Sequence, residues 1–362
     1  MRPVHRVLSR LTTCGLTALT AGCHDTSAPL LPPLPYSVIT ELLSPPSGRD
    51  IGDAYAVRDD SVLIGTSFTL SGDSARRGVW WTPGQAPRLM VAPASSDLTS
   101  NNWATGLNRA DVVVGYISTY AGNGPTLPVR WNPNGTVDTL PTLDPRGGWA
   151  YAVNDLGEIV GCSYFPNGQF TAVMWSPTSV IQRFDSTAAA SCAYGISSNG
   201  LYVVGIIGVH GFRWTASEGL RDLGTLGGTY SLAWAVNRFG EVVGESSDTT
   251  GAVHAFTWFD PGVMRALPLL PSGRNSAAYA INDSNKVVGY SENFYGERAT
   301  LWDKGYVVDL ATTGAPNDQA QGLYSHARAI SLSGVIAGFQ TNTPGSSCTG
   351  RICAALWRVS FR

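Results

Sequence analysis

Lysine is scarce in this sequence, and long apolar runs are absent. Only two of the 24 basic residues are lysines, Lys286 and Lys304, and 14% of the residues are charged, for a formal net charge of −2. A protein that binds nucleic acid through its phosphates needs a positive surface, which this composition does not supply. No segment reaches the roughly 18 apolar residues that a membrane-spanning helix needs. We therefore expect no nucleic-acid partner and no spanning helix.

The sequence also lacks helical periodicity and catalytic motifs. It contains no His-Glu-x-x-His helix, no Gly-x-Ser-x-Gly elbow and no glycine loop of the phosphate-binding kind. His210 and His254 share one repeat position, but no cluster of further ligands accompanies them, so we interpret them as strand residues with hydrogen-bond partners rather than as metal ligands. No catalytic residue, metal or cofactor is predicted.

One pattern is present instead, and it recurs seven times between Ala54 and Arg362. Each repeat opens on an alanine and places a glycine eleven or twelve residues later, and a tryptophan follows. The alanines are Ala54, Ala104, Ala150, Ala193, Ala233, Ala278 and Ala327; the glycines are Gly65, Gly115, Gly161, Gly205, Gly244, Gly289 and Gly338; the tryptophans are Trp81, Trp131, Trp175, Trp214, Trp258, Trp302 and Trp357. Seven of the eleven tryptophans in the chain thus occupy one position, which indicates a shared packing role.

Each repeat contains four short segments with the composition of β-strands, separated by turn residues. The turn after the first segment ends on Ser61, Asp111, Gly157, Gly200, Gly240, Asn285 or Gly334, mostly residue types that tolerate a left-handed backbone. Four strands in about 40 to 50 residues are typical of a propeller blade. The sequence therefore predicts an all-β fold, a seven-bladed β-propeller of four-stranded antiparallel blades.

The seventh repeat ends at Arg362, just after its third segment, and so lacks a fourth. The missing segment is found at the front of the chain, from Val38 to Leu43, where the following PSGRDIGDAYAV matches PSGRNSAAYAI after Leu270. We expect this N-terminal strand to complete the last blade and to remove an exposed sheet edge.

The repeats resemble those of the HAF-repeat family, predicted extracellular repeat proteins. The resemblance is carried by DLGTLGG at Asp222, by AWAVNRFGEVVGES from Ala233 and by HAFTW at His254, with HGFRW at His210 a near match. Other repeats depart from it, since the histidine position holds Arg77, Leu127, Thr171, Arg298 and Cys353. The resemblance covers most of the chain and implies an exported repeat protein; it carries over no catalytic residues.

The N-terminal region has the features of an export signal. Arg2, Arg6 and Arg10 precede a short apolar stretch that ends in LTAGC at Cys23, similar to a bacterial lipobox except for its threonine. We predict a signal peptide over residues 1–22, a lipidated Cys23 followed by a proline-rich tether to residue 35, and the propeller over residues 36–362. The alternative is an ordinary cleaved signal with a chance cysteine. The expected location is the outer membrane or cell surface, or its periplasmic side, with membrane contact only through the lipid.

Four cysteines remain, and an even number in an exported chain favours disulfides. In the propeller frame, Cys162 ends a second strand and Cys192 begins the next repeat, so both reach the same rim in adjacent blades. Cys348 and Cys353 flank one short loop. We predict Cys162–Cys192 and Cys348–Cys353.

The links from the second to the third strand, and from the fourth strand to the next repeat, are the long ones. We call the end of the fold that carries them the long-loop rim and expect binding there. The candidate ligand-binding residues are Trp103, Arg146, Trp149, Tyr164, Tyr230, Glu245, Arg274, Glu292 and Arg328. A near-ring of aromatics at the second residue of each repeat (Tyr55, Thr105, Tyr151, Tyr194, Trp234, Tyr279, Arg328) is interpreted as packing between blades in preference to a channel lining.

These features favour a non-catalytic, monomeric envelope protein that binds a glycan, peptide or protein at its long-loop rim. The alternative is a secreted glycan-acting hydrolase that uses two rim carboxylates.

Overall fold

The computed structural model of the chain describes residues 36–70, 75–92, 101–118, 124–184, 189–311, 324–341, 348 and 351–361. The chain divides into two units, Met1–Pro35 and Tyr36–Arg362. The predicted signal peptide, the lipidation site Cys23 and the tether lie outside the described residues, as do parts of the long loops.

The described residues form 28 β-strands and no helix, so none of them belongs to a helix long and apolar enough to cross a membrane. The strands before the third repeat are β1 (Tyr36–Leu43), β2 (Ile51–Val57), β3 (Leu63–Phe68), β4 (Arg77–Trp81), β5 (Arg88–Leu89), β6 (Asn101–Leu107), β7 (Val113–Ser118), β8 (Leu127–Trp131) and β9 (Val137–Thr139). The third and fourth repeats form β10 (Gly148–Val153), β11 (Ile159–Tyr164), β12 (Phe170–Trp175), β13 (Ile181–Arg183), β14 (Ser191–Ile196), β15 (Val203–Ile207), β16 (His210–Thr215) and β17 (Gly219–Asp222). The fifth and sixth form β18 (Gly227–Val236), β19 (Val242–Asp248), β20 (Val253–Phe259), β21 (Val263–Ala266), β22 (Ser276–Ile281), β23 (Val287–Asn293), β24 (Gly296–Asp303) and β25 (Tyr306–Asp309), and the seventh forms β26 (Ser325–Ile330), β27 (Ile336–Thr341) and β28 (Ile352–Phe361).

The second to sixth repeats each fold into one four-stranded antiparallel sheet in sequence order, for example β18-β19-β20-β21. The remaining strands belong to one sheet in the order β26-β27-β28-β2-β3-β4-β5, with β1 paired to β28. A single parallel pairing of Ile51 with Ile352 joins the two halves of that sheet. The prediction of an all-β fold built from four-stranded antiparallel sheets is confirmed, and the strand arrangement is propeller-like.

The first hairpin of each repeat ends in a turn that requires a left-handed backbone. All seven turn positions singled out in the sequence have positive φ, from 59° at Asn285 to 91° at Gly334. In the turn at Asn154, the side-chain Oδ1 accepts hydrogen bonds from the backbone N–H groups of Leu156 (3.1 Å) and Glu158 (2.9 Å). Asn237 and Asn282 make the same pair of bonds in their turns. The asparagine side chain therefore stabilises the turn by accepting hydrogen bonds from two of its backbone N–H groups.

A β-bulge interrupts the first strand of every repeat at its second residue. In β2 the pairing with β3 passes from Ala54–Gly65 to Ala56–Ile64, so Tyr55 is left without a partner on the neighbouring strand. The same shift occurs in β6, β10, β14, β18, β22 and β26. The repeat glycine faces this bulge: a Cβ on Gly65 would overlap the carbonyl oxygen of Asp53, and the other six glycines meet the equivalent carbonyl. The glycine is thus required by close backbone approach, and the bulge re-aims the side chain of the second residue.

The repeat tryptophans pack in the cores between sheets, as predicted. Six are at most 6% exposed, and Trp214 is partly buried. Several of them also donate a hydrogen bond to the segment that precedes the first strand of their repeat. The indole Nε1 of Trp81 donates to the Ser44 carbonyl (3.0 Å), and those of Trp175 and Trp302 donate to the carbonyls of Pro141 and Pro268 (2.7 Å each). These three tryptophans therefore combine apolar burial with a satisfied polar group, whereas the buried indole nitrogen of Trp357 has no partner among the described residues.

Strand β1 pairs antiparallel with β28 along its whole length, from Tyr36 opposite Phe361 to Leu43 opposite Ala354. Val38 and Leu42 of β1 pack against the core cluster that contains Trp357, whereas Ile39 points outward and is 60% exposed. The first described strand of the chain therefore lies beside the last.

Both predicted cysteine pairs lie at disulfide distance. The Cα atoms of Cys162 and Cys192 are 4.8 Å apart, and those of Cys348 and Cys353 are 6.4 Å apart. Cys162 is in β11 and Cys192 in β14, so the first bond links two neighbouring sheets.

Replacing Trp258 with alanine tests the packing role. Trp258 is 1% exposed, and we expect its loss to lower the free energy of unfolding by about 3–5 kcal/mol, measured by urea denaturation. Phe239→Ala is the control, because Phe239 is 57% exposed in a turn and its loss should change stability by no more than about 0.5 kcal/mol. Equal effects of the two substitutions would contradict a core role for Trp258.

Candidate functional site

The bulge residues of all seven repeats line one cavity. Its volume is about 380 Å³, at the lower end of the range of about 300–1,000 Å³ that small-molecule sites occupy. The lining residues are Tyr55, Trp103, Thr105, Tyr116, Tyr151, Tyr194, Trp234, Tyr279 and Arg328. We call this space the aromatic cavity.

The aromatic side chains touch one another in order around the cavity. Ring centroids are 4.7 Å apart for Trp103 and Tyr116, 5.0 Å for Tyr151 and Tyr194, and 4.9 Å for Tyr194 and Trp234. Packing, the interpretation favoured by the sequence, therefore describes only part of their role, because the same side chains form the wall of a cavity. The sequence does contain a signal for the cavity wall: a small residue stands on either side of each bulge residue, and the repeat glycine lies opposite.

The phenols of this wall are hydrogen-bond donors at neutral pH. Burial raises the pKa of Tyr116 to about 12 and, together with smaller effects of nearby charges, that of Tyr279 to about 12. The wall therefore presents both apolar ring faces and neutral hydroxyl groups, a combination that suits a ligand with a flat, hydroxylated or aromatic ring.

Ionisable side chains gather on one side of the cavity, on strands of the fifth, sixth, seventh and first repeats. The hydroxyl of Tyr230 donates to Glu245 Oε1 (3.0 Å), and His326 Nε2 lies 2.7 Å from Glu297 Oε2. Burial raises the pKa of Glu245, whereas burial, helped by Arg328, lowers the pKa of His326 to about 4. The His326 ring is thus neutral at pH 7 and donates its Nε2 hydrogen to Glu297.

The nine candidate residues from the sequence fall into separate groups. Trp103 and Arg328 line the aromatic cavity, and Tyr230 and Glu245 form the pair beside it. Arg146, Trp149 and Tyr164 form a second cluster, in which Arg146 pairs with Asp144 (Nε–Oδ1 2.7 Å) and lies over the Tyr164 ring at 5.0 Å.

The last two candidates have simpler environments. Glu292 accepts hydrogen bonds from the backbone and side-chain nitrogens of Asn275, at 3.0 to 3.2 Å, and so braces a loop. Arg274 is exposed. The sequence did not single out Tyr116, which lines the cavity from a second strand.

A second cavity, of about 260 Å³, lies at the opposite end of the first strands, among the short turns. Its apolar lining is Leu332 and the fourth residue of each repeat: Val57, Leu107, Val153, Ile196, Val236, Ile281 and Ile330. Its polar groups bond across neighbouring repeats, as where the backbone N–H of Arg109 donates to Asp155 Oδ1 (3.0 Å) and that of Ser333 to Asp59 Oδ1 (2.8 Å). These bonds satisfy the turns mutually, which gives this end a structural role.

The histidines at the shared repeat position have carboxylate partners. His210 Nδ1 lies 2.9 Å from Asp222 Oδ2, and His254 Nε2 lies 3.0 Å from Asp248 Oδ2. Within the described segments, no group of three or more His, Cys, Asp or Glu side chains is placed to hold a metal ion.

Among the comparisons with known proteins, one structure supports the fold, and none identifies a ligand. The profile of a protein family of unknown function, DUF3466, matches residues 228–351, about a third of the chain. No curated protein matches the sequence. The structure of virginiamycin B lyase from Staphylococcus aureus is similar, with a TM-score of 0.53 and 10% identity over 90% of this chain and 100% of that one. TolB from Acinetobacter baumannii (TM-score 0.46, 11% identity, 67% of this chain and 61% of that one) and a puromycin-hydrolyzing peptidase from Mycobacterium tuberculosis (TM-score 0.49, 12% identity, 84% and 53%) are less similar. At these identities the likeness is one of fold alone.

The raised pKa of Glu245 predicts a pH effect on stability. In the folded state its carboxyl holds a proton at pH values where the unfolded chain has lost it, so Glu245 makes stability fall as pH rises from the ordinary carboxyl pKa through the raised one. Glu245→Gln should therefore stabilise the protein more at pH 7 than at pH 4, in urea denaturation at both values. Glu41→Gln is the control, because that side chain is 47% exposed. Equal effects of Glu245→Gln at the two pH values would contradict the assignment.

Proposed function

We propose that this chain is an exported, lipid-anchored binding protein of the HAF-repeat kind, a closed seven-bladed propeller that holds a small ligand in its aromatic cavity. The observation that carries the binding role is the convergence of the seven bulge residues on one cavity of ligand size. A bulge and its facing glycine weaken a strand, and their recurrence in all seven repeats is accounted for by the side chain that they present. The two cysteine pairs at disulfide distance support the exported location.

Three contacts between the seventh and first repeats support the closed ring. The Ser333 N–H donates to Asp59, the Trp81 indole donates to Ser44 directly after β1, and Ile51 pairs with Ile352. In this proposal β1 is the fourth strand of the seventh blade, and each blade supplies one residue to the cavity wall.

The ligand class that fits the wall best is a saccharide or another ring-bearing small molecule that enters from the long-loop rim. Ring faces are offered by Trp103 and Trp234, and hydroxyl donors by the tyrosines between them. A protein or peptide partner would instead use the rim cluster of Arg146, Trp149 and Tyr164.

Ligand binding is tested by titrating the purified protein with a glycan panel and following tryptophan fluorescence, since Trp103 and Trp234 line the cavity. We expect Tyr151→Ala and Trp234→Ala each to weaken binding by tenfold or more. Each substitution removes the apolar area that the ring buries against the ligand and, in addition, about 0.5–1.5 kcal/mol of stacking energy. Trp149→Ala, in the rim cluster, is the matched control and should bind normally. If only the control variant loses binding, the ligand site is the rim cluster and not the aromatic cavity.

Ring closure is tested by charging β1. Leu42→Asp places a carboxylate against the core of the seventh repeat and should lower the free energy of unfolding of the whole domain by about 2 kcal/mol or more. Ile39→Asp, on the outward face of the same strand, should have little effect. If deletion of residues 36–43 leaves a cooperative transition at the wild-type temperature, the strand does not close the ring.

A glycan hydrolase is the second candidate, favoured by one observation. A general acid in glycoside hydrolysis needs a carboxyl group that stays protonated near neutral pH, and burial raises the pKa of Glu245 beside the cavity. Release of reducing ends by the wild type, abolished in Glu245→Gln, would establish this function in place of binding alone.

A further inference from the structure

Arg328 is the one charged residue among the nine that line the aromatic cavity in the described part of the chain. It occupies the bulge position of the seventh repeat, where five of the other six repeats carry Tyr or Trp and the second carries Thr105. The bulge therefore aims a guanidinium group at the space that the other repeats line mainly with rings.

Aromatic side chains fix the orientation of this guanidinium. Its Cζ atom lies 4.7 Å from the ring centroid of Tyr279, 5.5 Å from that of Phe339 and 6.0 Å from that of Tyr55. Cation–π contact and a hydrogen bond with Tyr279 hold the charge in place, and the Nε–H group is left without a partner among the described residues.

Asp53, the carboxylate beside Arg328, is too far from the guanidinium group to hydrogen-bond to it. Arg328 Nη2 lies 3.9 Å from Asp53 Oδ2, beyond hydrogen-bond distance, and neither Arg328 Nε nor Asp53 Oδ1 has a hydrogen-bond partner among the described residues. A buried donor without a partner destabilises the folded state, and a carboxylate bound beside the guanidinium group would lessen this cost. Burial raises the pKa of Asp53, although Arg328 acts in the opposite direction.

The other carboxylates on this side of the cavity already have partners. Glu245 accepts from Tyr230, Glu297 from His326, and Glu292 from Asn275. Asp53 also has a hydrogen-bond partner, Tyr55, but it is the carboxylate that pairs with Arg328 and so competes with a ligand for it.

We propose that the ligand of the aromatic cavity carries a carboxylate on its ring, and that Arg328 recognises this group while Asp53 opposes it. The proposal rests on the binding role proposed above and narrows its ligand class. An acidic saccharide and an aromatic carboxylic acid share this chemistry. In both, the ring packs on the aromatic wall and the carboxylate bonds to the guanidinium group of Arg328.

The test compares acids with matched neutral ligands by calorimetry and tryptophan fluorescence on the purified full-length protein. One arm uses digalacturonate and its methyl ester, and the other uses benzoate and benzamide. In the wild type we expect the acid to bind at least tenfold more tightly than its neutral counterpart in one arm or both. Preference in the first arm identifies an acidic saccharide, and preference in the second an aromatic acid.

Two substitutions should act in opposite directions. Arg328→Gln should abolish the preference for the acid and leave binding of the neutral ligand within about twofold. Asp53→Asn should strengthen binding of the acid several-fold, because it removes the competing charge. Arg328→Lys keeps the charge without the planar fork and should retain part of the preference. Arg265→Gln, on an exposed position of β21, is the control. Circular dichroism and melting curves of every variant establish that it is folded.

Three outcomes would overturn the proposal. Equal binding of acid and neutral ligand by the wild type would refute the carboxylate while leaving the binding role in place. If Arg328→Gln and Asp53→Asn both weaken binding of the acid and of the neutral ligand equally, the two residues only maintain the shape of the cavity. Absence of binding in both arms and across the glycan panel would contradict the proposed function itself, and this inference with it.

Discussion

The close approach of backbone at the repeat glycine is the constraint on which the rest of the structure depends. A side chain on the second strand at Gly65 or its six equivalents would occupy the space of a carbonyl oxygen on the first strand. With glycine there, the first strand can hold one residue more than its partner across the bulge, and that residue turns inward. The cavity wall is thus a consequence of a missing methyl group repeated seven times.

Because of this close backbone approach, the positions that stabilise the fold differ from the positions at which several side chains can be accommodated. The alanines at the repeat start, the glycines and most of the tryptophans are buried and leave little room for another side chain. The bulge residue is excluded from the ladder of strand pairs, so tyrosine, tryptophan, threonine and arginine can all be accommodated at it. A repeated scaffold can in this way carry an asymmetric site, aromatic on one side and ionisable on the other.

Much of the fold could be predicted from the sequence, because local chemistry determines it. The left-handed turn residues, the β-branched second strands and the repeat tryptophans each require a particular backbone or burial, and all seven turns have the expected conformation. The cysteine pairs followed from the position of Cys162 and Cys192 in that frame. The pairing of β1 with β28 followed from the missing fourth segment of the last repeat.

The site was less predictable, for a physical reason. The bulge reverses the alternation of inward and outward residues at one position, and a period-two pattern does not show which way Tyr55 or Tyr279 then points. Glu292 and Arg146 have side chains suited to ligand binding, yet Asn275 and Asp144 already engage them within the protein. Distances across the fold, such as that between Arg328 and Asp53, depend on residues 275 positions apart in the chain and have no local signature.

The aliphatic residues between the bulges and the short turns have a consequence for the kind of molecule that can be held. Along each first strand, an aliphatic residue such as Val57 or Ile281 lies two positions after the bulge residue, and these seven side chains line the second cavity, the one among the short turns. A ligand that passed beyond the bulge residues would therefore meet aliphatic side chains in place of rings and hydroxyl groups.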